Sequence, residues 1–331
     1  MRYGHNISPY VQDYFKISLM LERNASPNTI DTYKYVFQIF LDYCQESLRI
    51  RKDRLSLEDV DSELIGKFLT HLERVRNNCF STRNARLAAI QSFFTYVMRK
   101  EPDLMNHCHK ILSIPYKTAD SKPMCFLSND ECEVILNLNK GKTWYEKRDK
   151  LIIRLMIETG VRVSELTNMA VADLNGSSIT IFGKGKKYRT AALYPQTTDK
   201  VIDWIRYNRL EYADPIFGSR KKQKITRSNI DRIVKKYSDL AQTTCQTLRR
   251  KNISPHTLRH TFAMRNLEAG VKLPNLSLLM GHADTKSTLR YLHASNAMKK
   301  EALKMLDRLE DSGPEYIETD EDKLTDFLNG L

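Results

Sequence analysis

The chain has 331 residues, 41% of them hydrophobic, so it is long enough for two domains, and disorder throughout is excluded. Its 53 lysine and arginine residues outnumber 40 acidic residues, which gives a net charge of +13. Residues 311–331 carry a net charge of −6, so the rest of the chain carries +19. A body this positive attracts nucleic acid or, as a second candidate, an anionic membrane, although a merely basic protein has the same composition.

The cysteines and apolar runs exclude several other classes. The six cysteines are scattered without CxxC spacing, which favours a reducing cytosol over a disulfide scaffold. The run 107–109 (His-Cys-His) lacks the second ligand pair of a zinc site. No apolar run approaches the roughly 18 residues of a membrane span, and the first residues lack the apolar core of a signal peptide.

Residues 1–112 predict a small helical bundle, because apolar side chains recur every three or four positions in four segments. Ser26 followed by Pro27 is typical of a helix start. The four predicted helices cover Pro9 to Arg23, the segment after Ser26, the region 64–72 and a segment from near Ser81.

Residues 113–124 contain two prolines and no helical period, which indicates a linker. A second domain is predicted over 125–310, with an acidic tail over 311–331. Its first helix starts at Ser128, with Glu131 at capping-box spacing. The elements predicted after it are a helix from about Trp144 to Thr159, a hairpin of 179–182 with 188–194, and helices from 228 onward. The fold class is therefore mainly α with a small antiparallel sheet.

Three segments carry candidate chemistry. His256 and Arg259 lie three residues apart and share a helix face, which suits a phosphate clamp but also an ordinary surface helix. Arg162 follows a helix-ending Gly160 and is either a structural partner of Glu165 or a cation that faces a ligand.

Tyr291 lies nine residues after His282 in the third segment. A free phenol has a pKa of about 10, so a tyrosine nucleophile needs nearby cations to stabilise the phenolate and the phosphorane. Two arginines and one or two histidines would meet that need.

Together these segments resemble the tyrosine recombinase (phage integrase) family, and most of all its simpler Xer-like bacterial members. The matching motifs are Gly-Val-Arg-Val-Ser-Glu-Leu at Arg162, His-Thr-Leu-Arg-His-Thr-Phe-Ala at His256 and Arg259, Leu-Met-Gly-His at His282, and Thr-Leu-Arg-Tyr-Leu-His at Tyr291. Segments 26–48 and 81–97 resemble the family's N-terminal core-binding domain, so the resemblance covers roughly residues 9–310.

The resemblance implies a role for each matching residue. Arg162 and Arg259 would hold the non-bridging oxygens of the scissile phosphate, and Tyr291 would attack the phosphorus to form a 3′-phosphotyrosyl link. His256 would assist proton transfer at Tyr291, and His282 would hydrogen-bond the phosphate. Lys184 would protonate the leaving 5′-oxygen, although its neighbours Lys186 and Lys187 could substitute for it.

The resemblance also implies a two-domain clamp around double-stranded DNA, with full recombination by four protomers on two sites through a Holliday junction, and a partner recombinase or accessory protein is compatible with it. Because one phosphodiester replaces another and arginine neutralises the charge, we expect neither cofactor nor metal. We expect a bacterial protein of the cytoplasm and nucleoid. Candidate phosphate contacts are Arg83, Arg86, Lys186, Lys187, Arg189, Lys221, Lys222 and Lys224.

Two alternatives stay open at the level of sequence: a type IB topoisomerase, which shares the nucleophile, and a DNA-binding regulator that keeps only the fold. The segments 295–310 and 324–331 also show helical spacing of apolar residues. In similar enzymes a C-terminal helix docks on the neighbouring subunit, and we expect one of these two segments to do so.

Overall fold

The computed structural model describes residues 5–119, 124–183 and 188–281, together with residues 288, 289 and 291. The chain divides into two compact units, Met1–Lys122 and Pro123–Leu331. The predicted linker, residues 113–124, spans this division. Across the described residues, no helix combines the length and apolarity needed to cross a membrane.

The first unit is helical, and its helices surround an aromatic core. The α-helices are α1 (Ile7–Asp13), α2 (Pro27–Leu48), α3 (Ser62–Arg74), α4 (Phe80–Lys100) and α5 (Met105–Leu112). Ser26 caps α2 by accepting a hydrogen bond from the backbone N–H of Thr29, as its position before Pro27 predicts. Buried phenylalanines from α2, α3 and α4 meet in the core, which therefore fixes the bundle.

The segment after α1 differs from the prediction of one regular helix. Tyr14–Glu22 is a π-helix, and the N–H of Arg23 donates to the carbonyl of Ser18, five residues earlier, at 3.0 Å. This winding buries Tyr14, whose hydroxyl donates to Ser92 at 2.8 Å, together with Leu19. Long-range packing, which the local apolar spacing does not contain, thus sets the winding here.

The second unit combines seven α-helices with a small sheet among the described residues. The helices are α6 (Asn129–Leu138), α7 (Trp144–Thr159), α8 (Val163–Leu166), α9 (Pro195–Tyr207), α10 (Arg227–Thr244), α11 (Pro255–Glu268) and α12 (Leu273–Met280). Ser128 and Glu131 form the predicted capping box at the start of α6. The expected fold class, mainly helical with a small antiparallel sheet, is confirmed.

The sheet has three antiparallel strands in the order β1 (Leu174–Asn175), β2 (Ser178–Phe182) and β3 (Tyr188–Ala192). Strands β2 and β3 form the predicted hairpin, with Ile181 opposite Arg189. The two-residue strand β1 was not predicted, because so short a segment has no readable alternation. The hairpin places Arg189 at the start of the returning strand.

Helix α7 ends where the candidate site begins. Gly160 caps it in the left-handed conformation, with φ of 58°, and a Cβ at this position would collide with the ring of Phe262 on α11. Glycine therefore allows both the turn and the close approach of α11 to α7. Arg162 follows Gly160 by two residues, and Arg259 of α11 donates to the Gly160 carbonyl.

Candidate active site

The C-terminal end of α12 holds three arginines through consecutive backbone carbonyls. The Leu279 carbonyl accepts from Arg189 at 2.7 Å, the Met280 carbonyl from Arg259 at 2.7 Å, and the Gly281 carbonyl from Arg162 at 3.2 Å. A helix C-terminus carries partial negative charge, so it attracts guanidinium groups. Residues far apart in sequence thereby converge on residues 279–281, directly before His282 in the sequence.

Glu165 joins two of these arginines. Its carboxylate accepts from the backbone N–H of Arg162 at 2.8 Å and from the Arg162 guanidinium at 2.6 Å, and it accepts from Arg189 at 3.1 Å. Burial opposes ionisation of Glu165, yet the backbone hydrogen bond from Arg162 and the charge of Arg189 outweigh it and hold the pKa of Glu165 below its usual range. Glu165 is thus an ionised positioning residue for both arginines.

Arg259 is almost fully buried and donates to the carbonyl of Gly160 as well as to that of Met280. Burial, followed by the positive charge of Arg162, lowers the pKa of Arg259 to about 10, whereas the interactions with Glu165 and Tyr291 act in the opposite direction. Arg259 remains charged at neutral pH. Among the described residues of this cluster, Glu165 hydrogen-bonds two of the three guanidinium groups and acts on Arg259 only through its charge. The resulting surplus of positive charge suits an anion such as a phosphate.

Tyr291 lies in a small apolar cluster formed with α11 and α12, and only 2% of it is exposed. Its hydroxyl is 3.0 Å from Nδ1 of His260, and the two rings meet edge to face, with centroids 5.6 Å apart. His260 was not among the residues predicted from the sequence. A signal was present, because His260 lies four residues after His256 and directly after Arg259, on a helix.

The other predicted catalytic residues are placed as follows. His256 is the second residue of α11 and is exposed. His282 and Lys184 lie outside the described residues, as do Lys186 and Lys187. The structure therefore brings Arg162, Arg259 and Tyr291 together around α12 and α11, and their catalytic roles remain predictions.

Of the predicted phosphate contacts, Arg83 is buried and Arg189 is half-buried, with most of its side chain covered. Arg83 donates to Asn84 and to the Pro115 carbonyl, and its Nε lies 3.4 Å from Glu73. The side chain of Arg189 is 9% exposed and is held by Glu165 and Leu279. Both guanidinium groups therefore have internal partners, and a phosphate contact by either one stays a prediction.

The remaining candidate contacts differ in exposure. Arg86 is half-buried with its guanidinium over the Tyr35 ring, and burial lowers the pKa of Arg86. Lys222 is half-buried and pairs with Asp214 at 2.6 Å. Lys221 and Lys224 are exposed, so they are the described lysines of this set that are most open to a polyanion.

Known proteins resemble this chain over nearly its whole length. The phage integrase family matches residues 125–298, and the phage integrase N-terminal SAM-like domain matches residues 12–101. The chain is 31% identical to y4rC of Sinorhizobium fredii, which is named as an integrase/recombinase, over 98% of both chains. It is 30% identical to the tyrosine recombinase XerC of Pelobacter propionicus, over 85% of this chain and 89% of that protein.

Solved structures show the same fold. The XerH site-specific recombinase in its pre-cleavage complex with difH superposes with a TM-score of 0.64 at 25% identity, over 82% of this chain and 78% of that chain. The Tn1549 transposon integrase in complex with transposon right end DNA superposes with a TM-score of 0.68 at 18% identity, over 90% and 98%. The resemblance seen in the sequence motifs is confirmed: the chain belongs to the phage integrase family of tyrosine recombinases.

Proposed function

We propose that this chain is a site-specific DNA recombinase whose nucleophile is Tyr291. Its family breaks and rejoins DNA, and relatives named as recombinases favour this activity over a topoisomerase or a regulator without catalysis. The observation that carries the proposal for this chain is the convergence of Arg162, Arg259 and Tyr291 at the end of α12.

The proposed cleavage step exchanges one phosphodiester for another. The hydroxyl oxygen of Tyr291 forms a bond to the scissile phosphorus while its proton passes to a histidine of α11, for which His256 is the candidate from the family motif. The bond from phosphorus to the 5′-oxygen breaks, and the DNA 3′ end becomes linked to the tyrosine. Arg162 and Arg259 bind the non-bridging oxygens, where negative charge increases in the transition state. His282 would add a hydrogen bond to the phosphate, and Lys184 would protonate the 5′-oxygen.

The two units take different parts in DNA binding under this proposal. Residues 1–112 form the core-binding domain, residues 113–124 the linker and residues 125–310 the catalytic domain. Solved XerH and Tn1549 chains are bound to DNA, which supports double-stranded DNA as the partner. Exposed Lys221 and Lys224 are then candidates for backbone contacts, which position the protein without reading sequence.

Assembly is a further part of the proposal. Strand exchange between two sites through a Holliday junction needs four active sites, so we infer a homotetramer on two DNA sites. This assembly is compatible with a partner recombinase. Segments 295–310 and 324–331, the candidates for docking on a neighbour, lie outside the described residues. Truncation after Glu310 should weaken synapsis if the second segment docks, and normal junction assembly by the truncated chain would exclude that segment.

A protein of the bacterial cytoplasm and nucleoid fits the proposed role in DNA recombination.

The test uses nicked duplexes that trap the covalent intermediate, made from the DNA that flanks the gene's own element. Wild type and Tyr291→Phe are incubated with each duplex and denatured, and the protein–DNA adduct is mapped by peptide sequencing. Tyr212→Phe, which alters an exposed tyrosine, is the matched control. We expect an adduct at Tyr291 in wild type and in the control. Tight binding without an adduct on any duplex would contradict the proposal.

A further inference from the structure

The hydroxyl of Tyr291 meets a histidine that is not among the residues predicted from the family motifs. Nδ1 of His260 lies 3.0 Å from the Tyr291 hydroxyl oxygen, and both side chains belong to the same chain. We propose that His260 is a catalytic residue, which accepts the phenolic proton of Tyr291 during cleavage and returns it during rejoining. This inference rests on the proposed function of Tyr291 as the nucleophile.

The position of His260 on α11 suits this role better than that of His256. His256 occupies the first turn of α11 and is exposed, whereas His260 lies one turn further along and is partly buried against the tyrosine. His260 also follows Arg259 directly. One turn of helix therefore supplies a cation for the phosphate and a hydrogen-bond partner for the nucleophile.

The chemistry of attack requires a proton acceptor. A phenol with a pKa of about 10 holds its proton at pH 7, and the hydroxyl of Tyr291 lies within hydrogen-bond distance of Nδ1 of His260. A neutral imidazole has the appropriate basicity, and Nδ1 accepts when Nε2 carries the ring proton. The positive charge of Arg259 interacts with Tyr291, so it would stabilise the phenolate as the proton leaves.

The proton balance closes over the two half-reactions. In cleavage, the oxygen–phosphorus bond forms at Tyr291, the bond to the 5′-oxygen breaks, and the phenolic proton moves to Nδ1 of His260. In rejoining, a 5′-hydroxyl attacks the same phosphorus, the Tyr291 oxygen leaves, and the imidazolium returns its proton to that oxygen. The leaving 5′-oxygen takes its proton from a different group, for which Lys184 is our proposal.

The first experiment measures single-turnover cleavage of a nicked duplex at pH 7 by His260→Ala and His260→Asn. The asparagine can hydrogen-bond the tyrosine but cannot accept its proton. Both variants should therefore cleave at least about 100-fold more slowly than wild type, as expected for loss of a general base. His109→Ala, an exposed histidine of α5, is the control. Thermal melting of each variant shows whether it is folded. Cleavage by folded His260→Asn at the wild-type rate would overturn the inference.

A second experiment separates proton transfer from packing. A fluorinated tyrosine, introduced at position 291 alone through a suppressed stop codon, is a more acidic phenol and depends less on a base. Its introduction should raise the cleavage rate of His260→Ala by about 10-fold or more. An unchanged rate would mean that His260 has a structural role and would overturn the inference. The wild-type adduct at Tyr291 is measured in parallel. An adduct with no His260 effect rejects this inference alone, and absence of the wild-type adduct rejects the proposed function as well.

Discussion

Replacing Glu165 by Gln removes the buried negative charge that lies between Arg162 and Arg189. The carboxylate accepts three hydrogen bonds, two on Oε2 and one on Oε1. All three come from N–H groups of Arg162 and Arg189, which can only donate. A glutamine can present its oxygen to only one side, so its NH2 group must face an arginine or the Arg162 backbone N–H. At least one charge-assisted bond is lost, and the arginines become mutually repulsive.

The expected cost follows from those losses. A hydrogen bond to a charged group contributes about 1.5–3 kcal/mol, and removing one partner of a buried ion pair costs about 3–5 kcal/mol. We therefore expect Glu165→Gln to lower the free energy of unfolding of the second unit by about 3 kcal/mol at pH 7. Glu133→Gln, which alters an exposed glutamate of α6, should change it by less than about 0.5 kcal/mol.

Urea unfolding followed by tryptophan fluorescence suits this measurement, because the chain's two tryptophans, Trp144 and Trp204, both lie in the second unit. The pKa of Glu165 is lowered by folding, so its stabilising contribution is full above the unfolded pKa of about 4.3 and is lost as the pH falls through the lower folded value. The difference between wild type and Glu165→Gln should therefore shrink below about pH 4. A loss under about 1 kcal/mol at pH 7, or a difference that persists unchanged to pH 3, would refute this account.

Three further changes test other parts of the structure. Arg259→Lys keeps the charge but loses the forked guanidinium that reaches the Gly160 carbonyl. We therefore expect cleavage of a nicked duplex to slow by about 10²–10³-fold. A loss under about 10-fold would be inconsistent with a phosphate bound by the guanidinium groups of both Arg162 and Arg259. Gly160→Ala should lower the free energy of unfolding by roughly 2–5 kcal/mol in urea melts, through backbone strain and collision with Phe262. Gly176→Ala has the same φ of 58° but open space around it, so it should show the backbone strain alone; equal losses at both glycines would remove the collision from the explanation. Lys224→Ala should reduce the slope of log binding constant against log salt by about 0.9, measured by fluorescence anisotropy with duplex DNA, and an unchanged slope would place Lys224 away from the phosphates.

Local signals made much of the fold predictable. The capping box of α6, the extent of α7 and the alternation of the β2–β3 hairpin each depend on neighbours within a few positions. The π-helix at Tyr14–Glu22 could not be predicted in this way, because its winding follows partners such as Ser92, which lies 78 residues away from Tyr14.

The site shows the same division. The motifs at Arg162, Arg259 and Tyr291 indicate phosphate chemistry only together, through their resemblance to the family. Their connection through α12 could not be predicted, because backbone carbonyls leave no mark in a sequence. For the same reason Arg189 looked like a surface cation, and only the structure shows that it is held by Glu165 and the end of a helix.

The three carbonyls at the end of α12 have an evolutionary consequence. Every amino acid supplies a carbonyl, so the side chains at positions 278 and 279 can diverge among related enzymes without disturbing the arginines, and Leu278 is 75% exposed. Gly281 has no such freedom, because it adopts φ of 60° and a Cβ would lie 2.6 Å from the Arg189 side chain. A saturation library over 278–281 selected for recombination should therefore be permissive at its first two positions and nearly invariant at its last.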